Sequence, residues 1–400
     1  MILSCIRFVK RGGAKKLKNT AKYGISSVSY SFLALTLGGS FLQIYLIEQG
    51  FSDGATANFL SLMRAVQTAA IFLTMHLAAR ARRAAPASAA VFPAALPFCL
   101  LLLLSGEALP LPLYLLGTPF YVAIGAYCIF SYRLPYTALR LEDYGRISGV
   151  TGAISAALTL TASLAVSLLQ AFFPYRGIMR VVLSITAAVA VLGFFATLTL
   201  RERVAEAPPS PLPRVRLFAY RHFTALLTPN LLRGLTTGVM GIAVTLGYAR
   251  GILDAKTAAL SVVVTGGATM LGSLIYSLLP RRIAPVRPLL LATAAATLTM
   301  PLLLLGKAPL FFTALGLITL FTAVEDIAVP VAVVKLVDGD MIARYTGGRM
   351  LLHTLGTALG GFVAMPLFHA VGPLGLMLLT GGAHLAFGLF YYFYFKKTRV

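Results

Sequence analysis

The sequence of 400 residues is basic and strongly apolar, with 34 Lys and Arg against 12 Asp and Glu and with 58% hydrophobic residues. Charged residues make up 12% of the chain, whereas a soluble globular domain has about 25%. This composition excludes an ordinary soluble protein and leaves no room for a separate soluble domain.

Long apolar runs follow one another along the chain, and each is sufficient for a membrane-spanning helix of about 20 residues. They predict twelve spanning helices, at 24–47, 56–79, 88–105, 113–130, 149–171, 180–200, 231–249, 258–279, 289–305, 309–334, 349–371 and 374–395. The predicted fold class is therefore an all-α integral membrane protein. A basic arm, 1–23, precedes the first span, and a basic tail, 396–400, follows the last.

The basic residues are distributed unevenly between the two sides of the predicted spans. Most lie in the arm, the tail and alternate connecting segments, while the other connecting segments hold only Arg176, Arg180, Arg250, Lys256 and Lys307. The positive-inside rule then places both termini in the cytoplasm. The charge is therefore interpreted as a topology signal rather than as a nucleic-acid-binding surface, and the expected location is a bacterial inner membrane.

The chain contains an internal repeat. The segment Gly50-Phe-Ser-Asp53-Gly-Ala-Thr56-Ala57 resembles Gly251-Ile-Leu-Asp254-Ala-Lys-Thr257-Ala258. The same offset relates Arg80 to Arg281 and Tyr144 to Tyr345. Because the offset contains an even number of predicted spans, the two halves have the same orientation in the membrane.

A long polar stretch, 201–230, separates the two predicted bundles, 24–200 and 231–395. It contains the run Pro208-Pro209-Ser210-Pro211-Leu212-Pro213. Proline at this density favours an extended, semi-rigid linker. We interpret the stretch as a cytoplasmic tether between the bundles; the alternative is a role in substrate binding.

Twelve spans, cytoplasmic termini, a parallel six-span repeat and a long central loop resemble the major facilitator superfamily of secondary transporters. The resemblance covers the chain from Ala21 to Phe395. The loop His76-Leu-Ala-Ala-Arg80-Ala-Arg82-Arg83 keeps the basic residues of the family's signature but lacks its acid, so no subfamily is assigned. The resemblance implies a monomeric carrier, not an enzyme, that alternates access to a central small-molecule site and needs no cofactor.

Polar side chains on the first two predicted spans indicate a substrate site, because a charge inside a span is costly and is retained for function. Arg64 and Gln67 share one helical face and lie roughly 12 and 17 Å below the outer end. Gln43 lies in the same general layer. A guanidinium in such a cavity favours carboxylate or phosphate, so the expected substrate is anionic, zwitterionic or amphipathic. The alternative is that Arg64 pairs with Glu48 or extends to the outer surface.

A second group lies nearer the predicted cytoplasmic side. Arg233, Glu325, Asp326 and His353 are at similar depth on three predicted spans. A carboxylate that moves between a desolvated environment and an arginine can bind and release a proton, and His353 could relay it. These residues are predicted to couple transport to protons or to gate it. The alternative is a static ion pair with His353 as a packing residue.

Other functions remain open at this point. A facilitated-diffusion uniporter or a drug efflux carrier would have the same fold. A polytopic enzyme acting on a lipid would need a motif such as H-E-x-x-H or D-D-x-x-D, which the sequence lacks, and a scaffold or receptor would offer only the linker for docking. His76, His369 and His384 lie on separate spans without ligand spacing, so no metal site is predicted.

Overall fold

The computed structural model describes residues 14–78, 81, 83–104, 110–131, 134–139, 141–170, 172–202, 221–258, 260–278, 286–334 and 339–398. Within these residues, every regular element is a helix. The arm residues 1–13, Arg80, Arg281 and the linker residues 203–220 lie outside the described part.

In the first half, the described residues form nine helices. They are α1 Ala14–Gly38, α2 Ser40–Glu48, α3 Asp53–Ala78, α4 Ala85–Ala89, α5 Val91–Leu104, α6 Pro110–Phe130, α7 Leu134–Ala138, α8 Leu141–Leu169 and α9 Tyr175–Leu198. The first predicted span is interrupted at Gly39, where the backbone is extended before α2 begins.

The second half repeats much of this order. It contains α10 Arg221–Gly241, α11 Ala243–Ala249, α12 Ala255–Ala258, α13 Leu260–Leu278, α14 Val286–Thr299, a 3-10 segment Met300–Leu304, α15 Ala308–Val334 and α16 Gly339–Thr398. The seventh predicted span is broken at Ile242, with a bend of 46°. The last two predicted spans form α16, which is interrupted at Gly372, where φ is 75°; glycine adopts this value without the steric penalty of a Cβ.

Three helices begin well before the apolar runs that predicted them. Helices α8, α10 and α16 start at residues 141, 221 and 339, and their first turns are polar. Hydropathy detects only the part of a helix that suits lipid, whereas the backbone hydrogen bonds continue into the polar segment. These helices therefore start several residues before the predicted spans, while the apolar segments of α8 and α16 begin at Val150 and Gly347, close to the predicted 149 and 349.

Among the described residues, eight helical segments are long and apolar enough to cross a membrane, and a ninth is added if the bent pair of α10 and α11 is one span. The chain is thus an all-helical integral membrane protein. The count of twelve spans and the cytoplasmic termini stay predictions. We call the end of the molecule with the turns at Gly50 and Gly251 the predicted outer end. The opposite end is the predicted cytoplasmic end.

The repeated sequence segments form the same turn. Helix α2 is followed by Gly50 with φ of 91°, and α11 by Gly251 with φ of 69°. In the first turn, Phe51 N–H donates to the Leu46 carbonyl, and in the second, Ile252 N–H donates to the Gly247 carbonyl. These are Schellman-type helix ends, which require a left-handed residue after the helix. The turn explains why glycine occurs at the same place in both halves.

The two halves pack together mainly at the predicted outer end. Helix α3 packs against α16, α8 against α13, and α11 against α2 and α3. The largest hydrophobic cluster draws on both halves, and its second-half members, such as Leu246, Leu253 and Phe311, flank the predicted outer turns. At the predicted cytoplasmic end, the described residues form two separate clusters, around Leu134 in the first half and Tyr391 in the second.

Candidate functional site

A cavity of about 330 Å³ lies between the two halves. Both halves supply polar side chains to its wall: Gln43, Ser61, Arg64, Gln67 and Cys128 from the first, and Thr237, His353, Thr354 and Thr357 from the second. Its volume is at the lower end of the range for small-molecule sites. A site shared by two halves can change its access when they move relative to each other.

The breaks in two helices lie at this cavity. Gly38, where α1 ends, and Gly241, where α10 ends, both line it. The last carbonyl groups of a helix have no N–H partner within that helix. Here side chains reach them: Arg64 Nη2 lies 3.5 Å from the Gly38 oxygen, and Gln43 Nε2 donates to the Gly241 oxygen at 2.7 Å.

Arg64 is held at the cavity by a neighbour on its own helix. Its Nη1 donates to Gln67 Oε1 at 2.8 Å, as their spacing of three residues allows. No described carboxylate lies within ion-pair distance of Arg64, so the structure does not show the alternative pair with Glu48. Among the described residues that line the cavity, none is Asp or Glu. The guanidinium charge is therefore uncompensated within this wall.

A close helix contact places the second-half residues on the cavity. Gly234 and Gly238 of α10 face Gly356 and Gly360 of α16, and a Cβ on any of the four would clash with backbone atoms of the opposite helix. Small residues of this kind let two helix backbones approach closely. The contact brings three residues of α16 beside the exposed Thr237 on the cavity wall: His353, Thr354 and Thr357.

The halves also touch directly beside the site. A Cβ on Gly361 of α16 would clash with Ser61 Oγ of α3, and both residues line the cavity. At the other interface, Gly266 of α13 faces Thr159 of α8. Both contacts join the halves through small and hydroxyl-bearing residues.

The second predicted group is an ion-pair cluster inside the second half. Arg233 Nη2 lies 2.7 Å from Asp326 Oδ1 and 3.9 Å from Glu325 Oε2. The guanidinium also lies 5.4 Å from the centre of the Phe387 ring. The side chains of Arg233 and Glu325 are 6% and 0% exposed, whereas that of Asp326 is 65% exposed. The two adjacent acids thus differ sharply in environment.

Glu325 has two further partners, and the sequence did not predict either contact. Thr293 Oγ1 donates to Glu325 Oε1 at 2.6 Å, and His384 Nε2 lies 3.0 Å from the same oxygen. Glu325 Oε2 accepts no hydrogen bond from the described residues. His384 is 59 positions from Glu325 in sequence, so no local spacing could have revealed the contact.

The structure divides the predicted site residues into two sets. Gln43, Arg64, Gln67 and His353 line the cavity. The cluster of Arg233, Glu325 and Asp326 does not line it, and no hydrogen bond or ion pair among the described residues joins His353 to that cluster. The cluster is nevertheless close, because Thr237 on the cavity donates from Oγ1 to the Arg233 carbonyl at 2.9 Å.

No protein-family model and no curated protein sequence matches the chain. Solved structures do. A POT family transporter in complex with a thioalcohol-conjugated peptide aligns with a TM-score of 0.72 at 14% identity, covering 95% of this chain and 96% of that one. The nucleoside transporter NupG aligns with a TM-score of 0.64 at 15% identity, over 95% and 98% of the two chains.

A D-xylose-proton symporter aligns with a TM-score of 0.67 at 10% identity, covering 94% of this chain and 97% of that chain. The chain has the major facilitator fold. These similar structures are all transporters, as the sequence resemblance implied. At such low identity the likeness concerns the fold, and the substrate has to be argued from the site itself.

Proposed function

We propose that the protein carries a small organic anion across the membrane by alternating access between two six-helix bundles. The bundles comprise residues 24–200 and 231–395, joined by the linker 201–230, with both termini in the cytoplasm. The observation that carries the proposal is the cavity between the halves, in which Arg64 is charged and no described carboxylate balances it.

The cavity favours an anion over the zwitterion that the sequence left open. A zwitterion brings an ammonium group, which needs an acidic or strongly electronegative partner when it leaves water. The described wall offers hydroxyls, amides and one imidazole beside Arg64. A carboxylate or phosphate can accept paired hydrogen bonds from the guanidinium, and the hydroxyls of Ser61, Thr354 and Thr357 can orient the rest of the solute.

The same geometry supports a carrier over an enzyme or a scaffold. A membrane enzyme needs a nucleophile that is bonded to its base, and no described hydrogen bond joins His353 to the Cys128 thiol or the Ser61 hydroxyl. A carrier needs a polar site that both bundles contact. The three similar structures are a POT family transporter in complex with a conjugated peptide, a nucleoside transporter and a D-xylose-proton symporter. Their names describe carriers of small solutes. A uniporter and a drug efflux carrier remain alternatives of the same class.

Proton coupling is part of the proposal and is supported by the cluster around Glu325. The carboxylate is fully buried and lies 3.0 Å from an imidazole and 3.9 Å from a guanidinium. A buried carboxylate gains or loses a proton when such neighbours move. The cluster lies one helical turn from Thr237 on the cavity wall, so helix movement during transport would change the surroundings of the acid.

The test is uptake into proteoliposomes of small carboxylates and phosphate esters, each compared with its neutral amide or alcohol analogue. Arg64→Gln should reduce the affinity for the transported anion by about tenfold to a hundredfold, because charge-assisted hydrogen bonds are lost. Arg64→Lys should recover part of it, since lysine keeps the charge but not the paired geometry.

Arg180→Gln is the matched control, because Arg180 is an exposed arginine of α9 away from the cavity. An equal loss in Arg180→Gln, or equal uptake of the neutral analogues, would contradict the proposed substrate class. Proton flux is recorded in the same vesicles. If Glu325→Gln and Asp326→Asn leave substrate and proton movement unchanged, the cluster is structural and the coupling proposal fails.

A further inference from the structure

Gln43 joins the two halves through both ends of its amide group. Its Nε2 donates to the Gly241 carbonyl oxygen at 2.7 Å, and its Oε1 accepts from Thr245 Oγ1 at 3.2 Å. The side chain belongs to α2 in the first half, and its partners belong to the end of α10 and to α11 in the second. Gln43 is 3% exposed and Thr245 is fully buried.

Both partners of Gln43 depend on the break at Ile242. The carbonyl of Gly241 is one of the last four of α10 and needs a partner from outside the helix. Ile242 then turns the chain so that α11 runs at 46° to α10. The bend places Thr245 where it can reach the same amide, so one glutamine satisfies a helix end and a buried hydroxyl together.

The hydrogen bonds of Gln43 lie beside apolar packing between the two halves. Apolar side chains of both halves pack into one cluster at the predicted outer end, including Leu42 and Leu46 of α2 and Val244 and Leu246 of α11. On the other side of Gln43, the cavity residue Thr237 is exposed although it lies in the middle of the helix pair. In the described conformation the two halves are therefore packed against each other at the predicted outer end of the cavity.

We infer that Gln43 is a gating residue, whose two hydrogen bonds to α10 and α11 lock the predicted outer end in this conformation. Opening that end must separate α2 from α11 and break both bonds. When the gate opens, water can replace the partners of the amide, so the lock is reversible. The inference rests on the proposed function, since a gate has meaning only for a protein that alternates its access.

The experiment measures the accessibility of a single thiol at position 237, introduced as Thr237→Cys after the native cysteines are replaced by serine. A membrane-impermeant maleimide is applied to one face at a time of sealed vesicles of known orientation, without substrate. Gln43→Leu removes both hydrogen bonds at similar side-chain volume, and Thr245→Val removes one. Thr186→Val is the control, because Thr186 bonds to Thr36 within the first half.

The parent protein should be labelled mainly from the predicted cytoplasmic face. Gln43→Leu should raise the labelling rate from the opposite face by about tenfold, since it weakens only the closed state by two hydrogen bonds. Thr245→Val should raise it by a smaller factor, and Thr186→Val should not. Unchanged labelling in both Gln43→Leu and Thr245→Val, or an equal rise in the control, would overturn the inference.

Two variants guard against a folding defect. If Gln43→Leu does not fold, as judged by its elution as a single species in detergent, the smaller rise in Thr245→Val decides the question. The result is also separable from the proposed substrate. A rise in outer-face labelling without uptake of any tested anion would keep the gate and reject the substrate class, whereas anion uptake with unchanged labelling would reject the gate alone.

Discussion

Replacing Arg233 by methionine should destabilise the protein strongly, because it leaves the buried Glu325 carboxylate without its nearby guanidinium. The Arg233 side chain is 6% exposed and that of Glu325 is 0% exposed. Removing one partner of a buried ion pair costs about 3–5 kcal/mol, mostly through the uncompensated charge that remains. We expect a loss in this range for Arg233→Met.

The neighbouring acid provides the internal comparison. Asp326 makes the shorter contact with Arg233, at 2.7 Å, but its side chain is 65% exposed. Asp326→Asn leaves the buried Arg233 with Glu325 as a remaining charge partner, and the asparagine oxygen can still accept its hydrogen bond, so this change should cost about 1 kcal/mol. The longer contact should thus matter more than the shorter one, because its loss leaves a buried charge without a guanidinium.

A double substitution tests the cause directly. Adding Glu325→Gln to Arg233→Met removes the stranded charge and should restore most of the lost stability. Unfolding is followed by far-UV circular dichroism in mixed micelles with increasing SDS, since the chain has no tryptophan. A loss below about 1 kcal/mol for Arg233→Met, or further loss in the double variant, would refute the reasoning that Glu325 carries a charge in this state.

Two further predictions concern packing and the predicted cytoplasmic end. Gly360→Ala should destabilise the protein by about 1–3 kcal/mol, because its Cβ would clash with the Leu235 carbonyl; Gly382→Ala, with open space around it, is the control in the same SDS titration. Glu202→Ala should speed amide hydrogen exchange at the start of α4 at least several-fold, because its carboxylate accepts two N–H bonds of 2.7 Å there, and such a cap contributes about 1 kcal/mol. Unchanged exchange in Glu202→Ala would contradict this role.

Helix positions could be predicted from hydropathy, but the interruptions within them could not. The run around Gly39 and the run around Ile242 are apolar on both sides of the break, so nothing in their composition separates one helix from two. At Ile242 the break is instead accompanied by tertiary contacts, including the hydrogen bond that Gln43 makes with the preceding carbonyl. Tertiary partners of this kind override local preference.

The site could be predicted where its residues share a helix. Arg64 and Gln67 are three residues apart, and their hydrogen bond was foreseeable from that spacing. Contacts between distant segments gave no such signal, as the approach of His384 to Glu325 shows. The loop after the second span lacks an acid of its own, yet Glu202 from beyond α9 reaches the N–H groups at its end. A local motif search could not find that carboxylate.

One helix connects the ion-pair cluster, the cavity and the predicted gate. Arg233, Thr237 and Gly241 follow one another at intervals of four residues along one face of α10, over about 12 Å. The first binds the acids of α15, the second lines the cavity, and the third accepts the hydrogen bond from Gln43. A movement of α10 as a rigid element would therefore change all three contacts at once. The acids need not touch the solute to sense it, because a shared two-state element is sufficient to couple two sites.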